Sequence, residues 1–241
     1  MGVDERAIVA ANNNADIYEA MFKSQGLGFE RLAYAFVGRD KPPPYYSNLT
    51  VLSPDRTDEV LLLLSGLAEQ FDGAIGLKDS FCQLELQGNG FSVLFEASWI
   101  WRAPENMSSG PSDWQLIEKP DDLERWEEAW KYLGSPTQNR MFNETMLKMP
   151  DIYFFGQKRN GRFEAGCIGN KSAGCIGISN VFSRSPSSRV FADAAAIIAK
   201  IDGSLPVVGY GRSGKNLEDA LHAGFEAVGD LRILVAKAAA F

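Results

Sequence analysis

Histidine occurs once in the 241 residues, at His222, and cysteine three times, at Cys82, Cys167 and Cys175. One imidazole cannot complete a usual zinc ligand set, and no two cysteines form a CxxC pair, so no metal site is expected. The thiols are an odd set and read as reduced side chains in core or small-residue positions. Positive charge is also short: 24 Lys and Arg face 31 Asp and Glu, a net charge of −7. Such a chain has no broad basic field for a polyphosphate backbone, which argues against nucleic acid as a partner while leaving room for a local anion pocket. Apolar runs such as 60–64 fall far short of the roughly 20 residues that cross a bilayer, so no membrane partner is expected. The opening Met1-Gly2-Val3-Asp4-Glu5-Arg6 is too acidic and polar for a secretory signal. The expected location is the cytoplasm.

Apolar residues make up 45% of the chain, an ordinary share for a globular core. The length suits one large domain or two lobes. In the first half, Ile17, Met21 and Phe22 predict a helix over 14–25 after an asparagine-rich cap region, ending at the glycines 26 and 28. Strands are expected over 32–37 and 45–52, separated by the extended Pro42-Pro43-Pro44. Thr57 opens a helix carrying Val60, Leu61, Leu64, Leu67, Ala68 and Phe71, followed by strands over 74–77 and 91–101. Residues 103–113, rich in Pro, Ser, Gly and Asn, read as a linker or long loop.

In the second half, a strand over 114–117 precedes a helix from Pro120 to Gly134, and a further helix is expected over 141–149. Three strands over 152–157, 163–170 and 173–182 form a meander, with Asn160-Gly161 and Asn170-Lys171 as its tight turns. A helix over 190–201, a buried strand over 206–210, a short helix over 217–223 and a last strand over 225–235 complete the order. The tryptophans 99, 101, 114, 126 and 130 read as core rather than ligand platforms.

The two halves resemble each other. Ser47-Asn48-Leu49 and Ser179-Asn180-Val181 stand 132 residues apart, and each is followed by a Ser-Pro turn, an apolar helix and a short strand. Gly90-Phe91 and Gly224-Phe225, each leading into a strand, stand 134 apart. A register that drifts so little predicts a duplication, with one lobe over 1–105 and a related one over 112–241.

The C-terminal order, and in particular Gly177-Ile178-Ser179-Asn180-Val181-Phe182 running into a polar loop and Ala220-Leu221-His222-Ala223-Gly224-Phe225-Glu226-Ala227-Val228-Gly229 near the end, resembles the GNAT acyl-CoA N-acyltransferase superfamily over roughly residues 112–236. The resemblance implies an α/β (α+β) fold with a mixed central sheet flanked by helices, preceded here by a second related lobe. It implies acyl transfer from acetyl-CoA or another acyl-CoA to a small-molecule acceptor, a small amine or amino-acid-like compound. Family members hold the cofactor pyrophosphate on backbone amides in an Arg/Gln-x-x-Gly-x-Gly/Ala loop at a helix start, where free N–H groups and the helix dipole converge. The matching stretch is Arg184-Ser185-Pro186-Ser187-Ser188-Arg189, in which serine and arginine replace the glycines. Asn180, Val181, Phe182, Arg184, Ser187, Ser188 and Arg189 are the implied cofactor contacts.

Amine acylation by a thioester needs a neutral amine, a polarised carbonyl and a proton for the departing thiolate. The resemblance assigns the carbonyl to backbone amides of strand 173–182. Many relatives use a tyrosine of the last helix as acid, where this chain has Ala220, Leu221 and His222. His222 and Tyr210 are the candidate acids, and Glu144 and Glu164 the candidate bases. The first lobe places acids at Asp55 and Asp58 where a pyrophosphate would lie and reads as degenerate, serving to pack against the second. A GNAT-fold protein that binds a ligand or partner without turnover is the alternative, favoured by the missing glycines and the missing helix tyrosine.

Overall fold

In the computed structural model, which describes residues 2–71, 74–86, 90–104, 113–185 and 189–237, one sheet gathers strands from the whole chain. The elements in order are α1 (Glu5–Gln25), β1 (Phe29–Arg31), β2 (Ala35–Gly38), β3 (Leu49–Val51), α2 (Thr57–Gln70), β4 (Ala74–Asp79) and β5 (Phe91–Arg102), then β6 (Trp114–Leu116), α3 (Pro120–Tyr132) and α4 (Glu144–Leu147). They are followed by β7 (Ile152–Arg159), β8 (Arg162–Ser172), β9 (Cys175–Ser183), α5 (Arg189–Ile198), β10 (Val207–Arg212), α6 (Lys215–His222) and β11 (Glu226–Lys237). The eleven strands lie in the order β1-β2-β3-β4-β11-β5-β10-β9-β8-β7-β6. Pairing is antiparallel except for β3 with β4 and β9 with β10. The fold is therefore α/β with a mixed central sheet flanked by helices.

Strand β5 ties the first half of the chain to the second. It lies between β10 and β11 and pairs antiparallel with both, so the strand ending at Arg102 is built into the sheet of the second half. Alternation along the strands divides the core in two. Trp99, Phe154 and Val208 enter the cluster with α1 to α4, and their neighbours Ile100, Phe155 and Val207 enter the cluster with α5 and α6. These clusters cover opposite faces, and each fully buried Phe or Leu contributes on the order of 1.5–3 kcal/mol.

Helix α1 differs most from the sequence expectation. It starts at Glu5, with the Asp4 side chain accepting the Arg6 backbone N–H, and ends on Gly26 in the left-handed conformation. The asparagines expected as its cap lie inside it, because their side chains find partners on strands. Asn13 donates to the Asn170 carbonyl at 3.2 Å and to Ser172 Oγ at 2.9 Å, and Asn170 returns a bond to the Asn13 carbonyl at 3.0 Å. Ala7, Ala10, Ala11 and Ala15 are buried and let the helix lie close on the sheet. A Cβ at Gly229 would come within 3.1 Å of the Ala7 Cβ.

Two further expectations are corrected. The meander's second turn is not at Asn170-Lys171 but at Ala173 and Gly174, with φ of 51° and 72°; Asn170 stays in β8, buried against α1. The helix expected over 141–149 shrinks to Glu144–Leu147, because Asn143 is extended and caps its first turn by accepting the Met146 N–H; before it, the N–H groups of Met141 and Phe142 donate to the buried Glu127 carboxylate at 2.8 and 3.0 Å. Among the described residues no helix is long and apolar enough to cross a membrane. Most of the linker expected over 103–113 lies outside the described residues.

Candidate active site

Among the described residues the rungs between the parallel strands β9 and β10 are Ile176 with Val207 and Gly177 with Val208. Both strands run on, β9 to Ser183 and β10 to Arg212, so beyond these rungs they part and open a crotch. Gly209 sits at the fork, where a Cβ would come within 2.8 Å of the Ile178 carbonyl oxygen. On the other edge of β9 the ladder slips: Ser179 pairs with Ile168 and Phe182 with Gly166, leaving Asn180 and Val181 without a rung on β8. Asn180 holds φ at 53°, a left-handed conformation that asparagine tolerates better than most residues.

The crotch leads into a cleft of about 270 Å³. Its lining comes from both halves: Asn14 and Tyr18 on α1, Tyr46 before β3, Trp130 on α3, Asn180 and Val181 on β9, and Tyr210 on β10. Behind them Lys78 of β4 is wholly buried. Its Nζ lies 4.5 Å from the Tyr18 ring centre and 4.8 Å from that of Tyr210, and it donates to Asn14 Oδ1. Burial pulls the Lys78 ammonium below its ordinary value, opposed by Tyr210. Burial also pushes the hydroxyls up, Tyr18 to about 12, with Tyr46 and Tyr210 raised by the same cause. All three phenols stay protonated at neutral pH and can donate.

Of the residues singled out by sequence, Asn180, Val181 and Tyr210 come together in this cleft. Phe182 is buried instead against Trp126, ring centres 5.0 Å apart. The Arg184 guanidinium lies over the Tyr132 ring at 5.3 Å and pairs with Glu164 at 3.3 Å. Ser187 and Ser188 fall outside the described residues, and Arg189 opens α5 on the surface. His222 is exposed on the last turn of α6 and does not line the cleft. Glu144 pairs with Lys148 at 2.6 Å, and neither it nor Glu164 reaches the cleft. Trp99, Trp114, Trp126 and Trp130 are core residues, although Trp130 also lends an edge to the cleft. Cys167 and Cys175 are buried, whereas Cys82 is exposed at a φ of 53°. No group of residues that could hold a metal ion occurs among those described.

Asn14, Tyr18, Tyr46 and Lys78 were not singled out by sequence. Each comes from the first half, and only the sheet order carries them to β9 and β10. Lys78 in particular sits beyond the end expected for its strand, and a lysine there carries no mark of burial.

No family model matches the chain, and no curated protein matches its sequence. Solved structures do match. A GCN5-related N-acetyltransferase from Kribbella flavida superposes with a TM-score of 0.61 at 11% identity, over 94% of this chain and 95% of its own. The fold is GNAT-like. A functionally unknown conserved protein from Staphylococcus epidermidis matches at a TM-score of 0.61 and 9% identity, over 90% of this chain and 97% of its own. Saccharomyces cerevisiae N-myristoyltransferase with bound myristoyl-CoA and inhibitors matches at 0.54 and 11% identity, over 85% of this chain and 64% of its own. The likeness spans nearly the whole chain, so the GNAT-like architecture includes the strands contributed by the first half.

Proposed function

We propose that the protein is an acyl-CoA-dependent N-acyltransferase, with acetyl-CoA or another acyl-CoA as donor and a small amine or amino-acid-like acceptor. The observation that carries this is the open fork between β9 and β10, where the Asn180–Val181 slip and the Tyr210 phenol face one cleft. In this scheme the amine lone pair attacks the thioester carbonyl, a C–N bond forms and the C–S bond breaks. Backbone N–H groups beside Asn180 and Val181 polarise the carbonyl, the thiolate takes a proton from the Tyr210 hydroxyl, and the proton shed by the acylated nitrogen returns to the Tyr210 phenolate. His222 is the other candidate donor, reached only from the exposed end of α6. The donor's phosphates are assigned to Arg184, Ser187, Ser188 and Arg189, where serine can offer an amide and a hydroxyl in place of glycine.

The same proposal takes the two halves as a duplication, with lobes over 1–105 and 112–241. Helices opening at Thr57 and Arg189, and strands Ala74–Asp79 and Val207–Arg212, support it. Both strands are parallel to the strand before them and antiparallel to the last strand of the other half.

The test is thermal unfolding in the presence of CoA and acetyl-CoA, because a ligand that binds only the folded state raises the midpoint, followed by release of free CoA thiol across an amine panel. A saturable shift with amine-dependent thiol release supports the enzyme. No shift up to about millimolar ligand overturns it. A second reading, a GNAT-fold binder without turnover, is favoured by the engagement of Arg184 with Glu164 and Tyr132, which competes with a phosphate. It expects the shift without thiol release.

A further inference from the structure

Lys78 is a buried lysine without a counter-ion among the described residues. It is fully buried, and among the described residues no carboxylate pairs with it. Its neighbour Asp79 is bound to Arg232 at 3.0 Å and to the Gln83 and Leu84 backbone, and Asp16 of α1 pairs with Arg31 at 3.2 Å. What surrounds the Lys78 Nζ is the side-chain Oδ1 of Asn14 and the faces of Tyr18 and Tyr210. Two ring faces and one neutral acceptor offset only part of the cost of removing an ammonium from water. Thr50, the register partner of Lys78 on β3, adds a buried hydroxyl with no hydrogen-bond partner among the described residues.

The three groups that hold Lys78 also line the cleft. An ammonium can only donate, so Asn14 must turn Oδ1 to it, which leaves Nδ2 as a donor. No hydrogen bond uses that Nδ2 among the described residues. The phenols of Tyr18, Tyr46 and Tyr210 remain protonated beside it. The cleft thus presents neutral donors in front of a buried positive charge, the arrangement that suits a small anion in a low-dielectric site.

Resting on the acyl-transfer reading, we propose that this cleft takes a carboxylate on one of the two reactants, received by Asn14 Nδ2 and the Tyr18 and Tyr46 hydroxyls and balanced by Lys78 behind them. The carboxylate belongs either to an amino-acid-like acceptor or to a dicarboxylic acyl group on the donor. Lys78 is a positioning residue here: it orients Asn14 and supplies charge without touching the ligand.

Two arms separate the sources. In the donor arm, the affinities of acetyl-CoA and succinyl-CoA are compared by calorimetry. In the acceptor arm, L-amino acids are compared with their carboxamides in the presence of saturating CoA. The proposal expects one arm to show at least about tenfold tighter binding of the carboxylate form, as a charge-assisted hydrogen bond provides. It expects Lys78→Met to abolish that preference while CoA affinity is kept. Asn14→Ala repeats the test with Lys78 intact, so the outcome does not depend on one variant folding. Equal affinities within both pairs, with CoA still bound, overturn this proposal and leave the acyltransferase reading standing. A carboxylate preference that survives both substitutions overturns it as well, and failure of CoA itself to bind removes the reading beneath it.

Discussion

The Nζ of Lys78 stands 4.8 Å from the centre of the Tyr210 ring, joining a strand of the first half to the strand that borders the candidate cleft. Keeping a charge there costs folding free energy, and the cost has a testable pH dependence. Burial pulls the Lys78 ammonium below 10.5 in the folded protein, with the Tyr18 and Tyr210 rings beside it. Below the folded value both states carry the proton and the penalty is fully present. Between that value and 10.5 only the unfolded chain binds it, so stability rises with pH. Lys78→Met lacks this penalty, so its ligand-free stability in urea should equal or exceed wild type at neutral pH. Its advantage should shrink as pH rises above the lowered folded value towards 10.5. An advantage that grows with pH would contradict the assignment.

Asn13 and Asn170 exchange hydrogen bonds between α1 and β8, and both are buried. Asn170→Leu removes the bond from Asn170 Nδ2 to the Asn13 backbone carbonyl, while the Asn13 side chain keeps the residue-170 carbonyl and Ser172, and should cost about 1–3 kcal/mol in urea unfolding. Because α1 carries Asn14 and Tyr18 into the cleft, the same variant should also weaken the preference for the carboxylate form. A stability loss below about 0.5 kcal/mol would show that the pair does not anchor the helix.

Much of the fold is legible in the sequence because its signals are local. The apolar spacing of Val60, Leu64 and Leu67, the strand formers from Phe91 to Trp101, and Pro120 followed by two acids each specify their element with little help from distant residues. The start of α1 is not legible, since Asn12-Asn13-Asn14 has the composition of a cap and becomes helix only where Asn170, Ser172 and Lys78 supply partners. Tyr210 and Asn180 could be singled out from the second half alone. Lys78 and Tyr18 could not, because their place in the site depends on β5 and β11 interleaving across the middle of the sheet.

Gly209 keeps the fork narrow at its base. An alanine there would bring a Cβ to 2.8 Å from the Ile178 carbonyl and 3.0 Å from its side chain. Backbone must therefore move, at an expected cost of about 1–3 kcal/mol. The displaced strands are those that present Val181 and Tyr210, so Gly209→Ala should lower affinity for acetyl-CoA measured by calorimetry below the melting range. Unchanged affinity would place the acyl donor away from the fork.

Tyr210→Phe tests the proton donor without disturbing its surroundings, because the ring that meets Trp99 at 5.8 Å and Lys78 at 4.8 Å is retained. The hydroxyl of Tyr210 is raised above its ordinary value by burial, so in wild type it remains a donor throughout the neutral range. If it protonates the departing thiolate, the variant should lose about 10²- to 10⁴-fold in kcat with little change in KM for acetyl-CoA. His222→Gln, at the exposed end of α6, should leave kcat within about twofold. The reverse pattern, a large loss at His222 and none at Tyr210, would move the acid to α6. The cleft of Lys78, Asn14 and Tyr210 would then bind a reactant without giving it a proton.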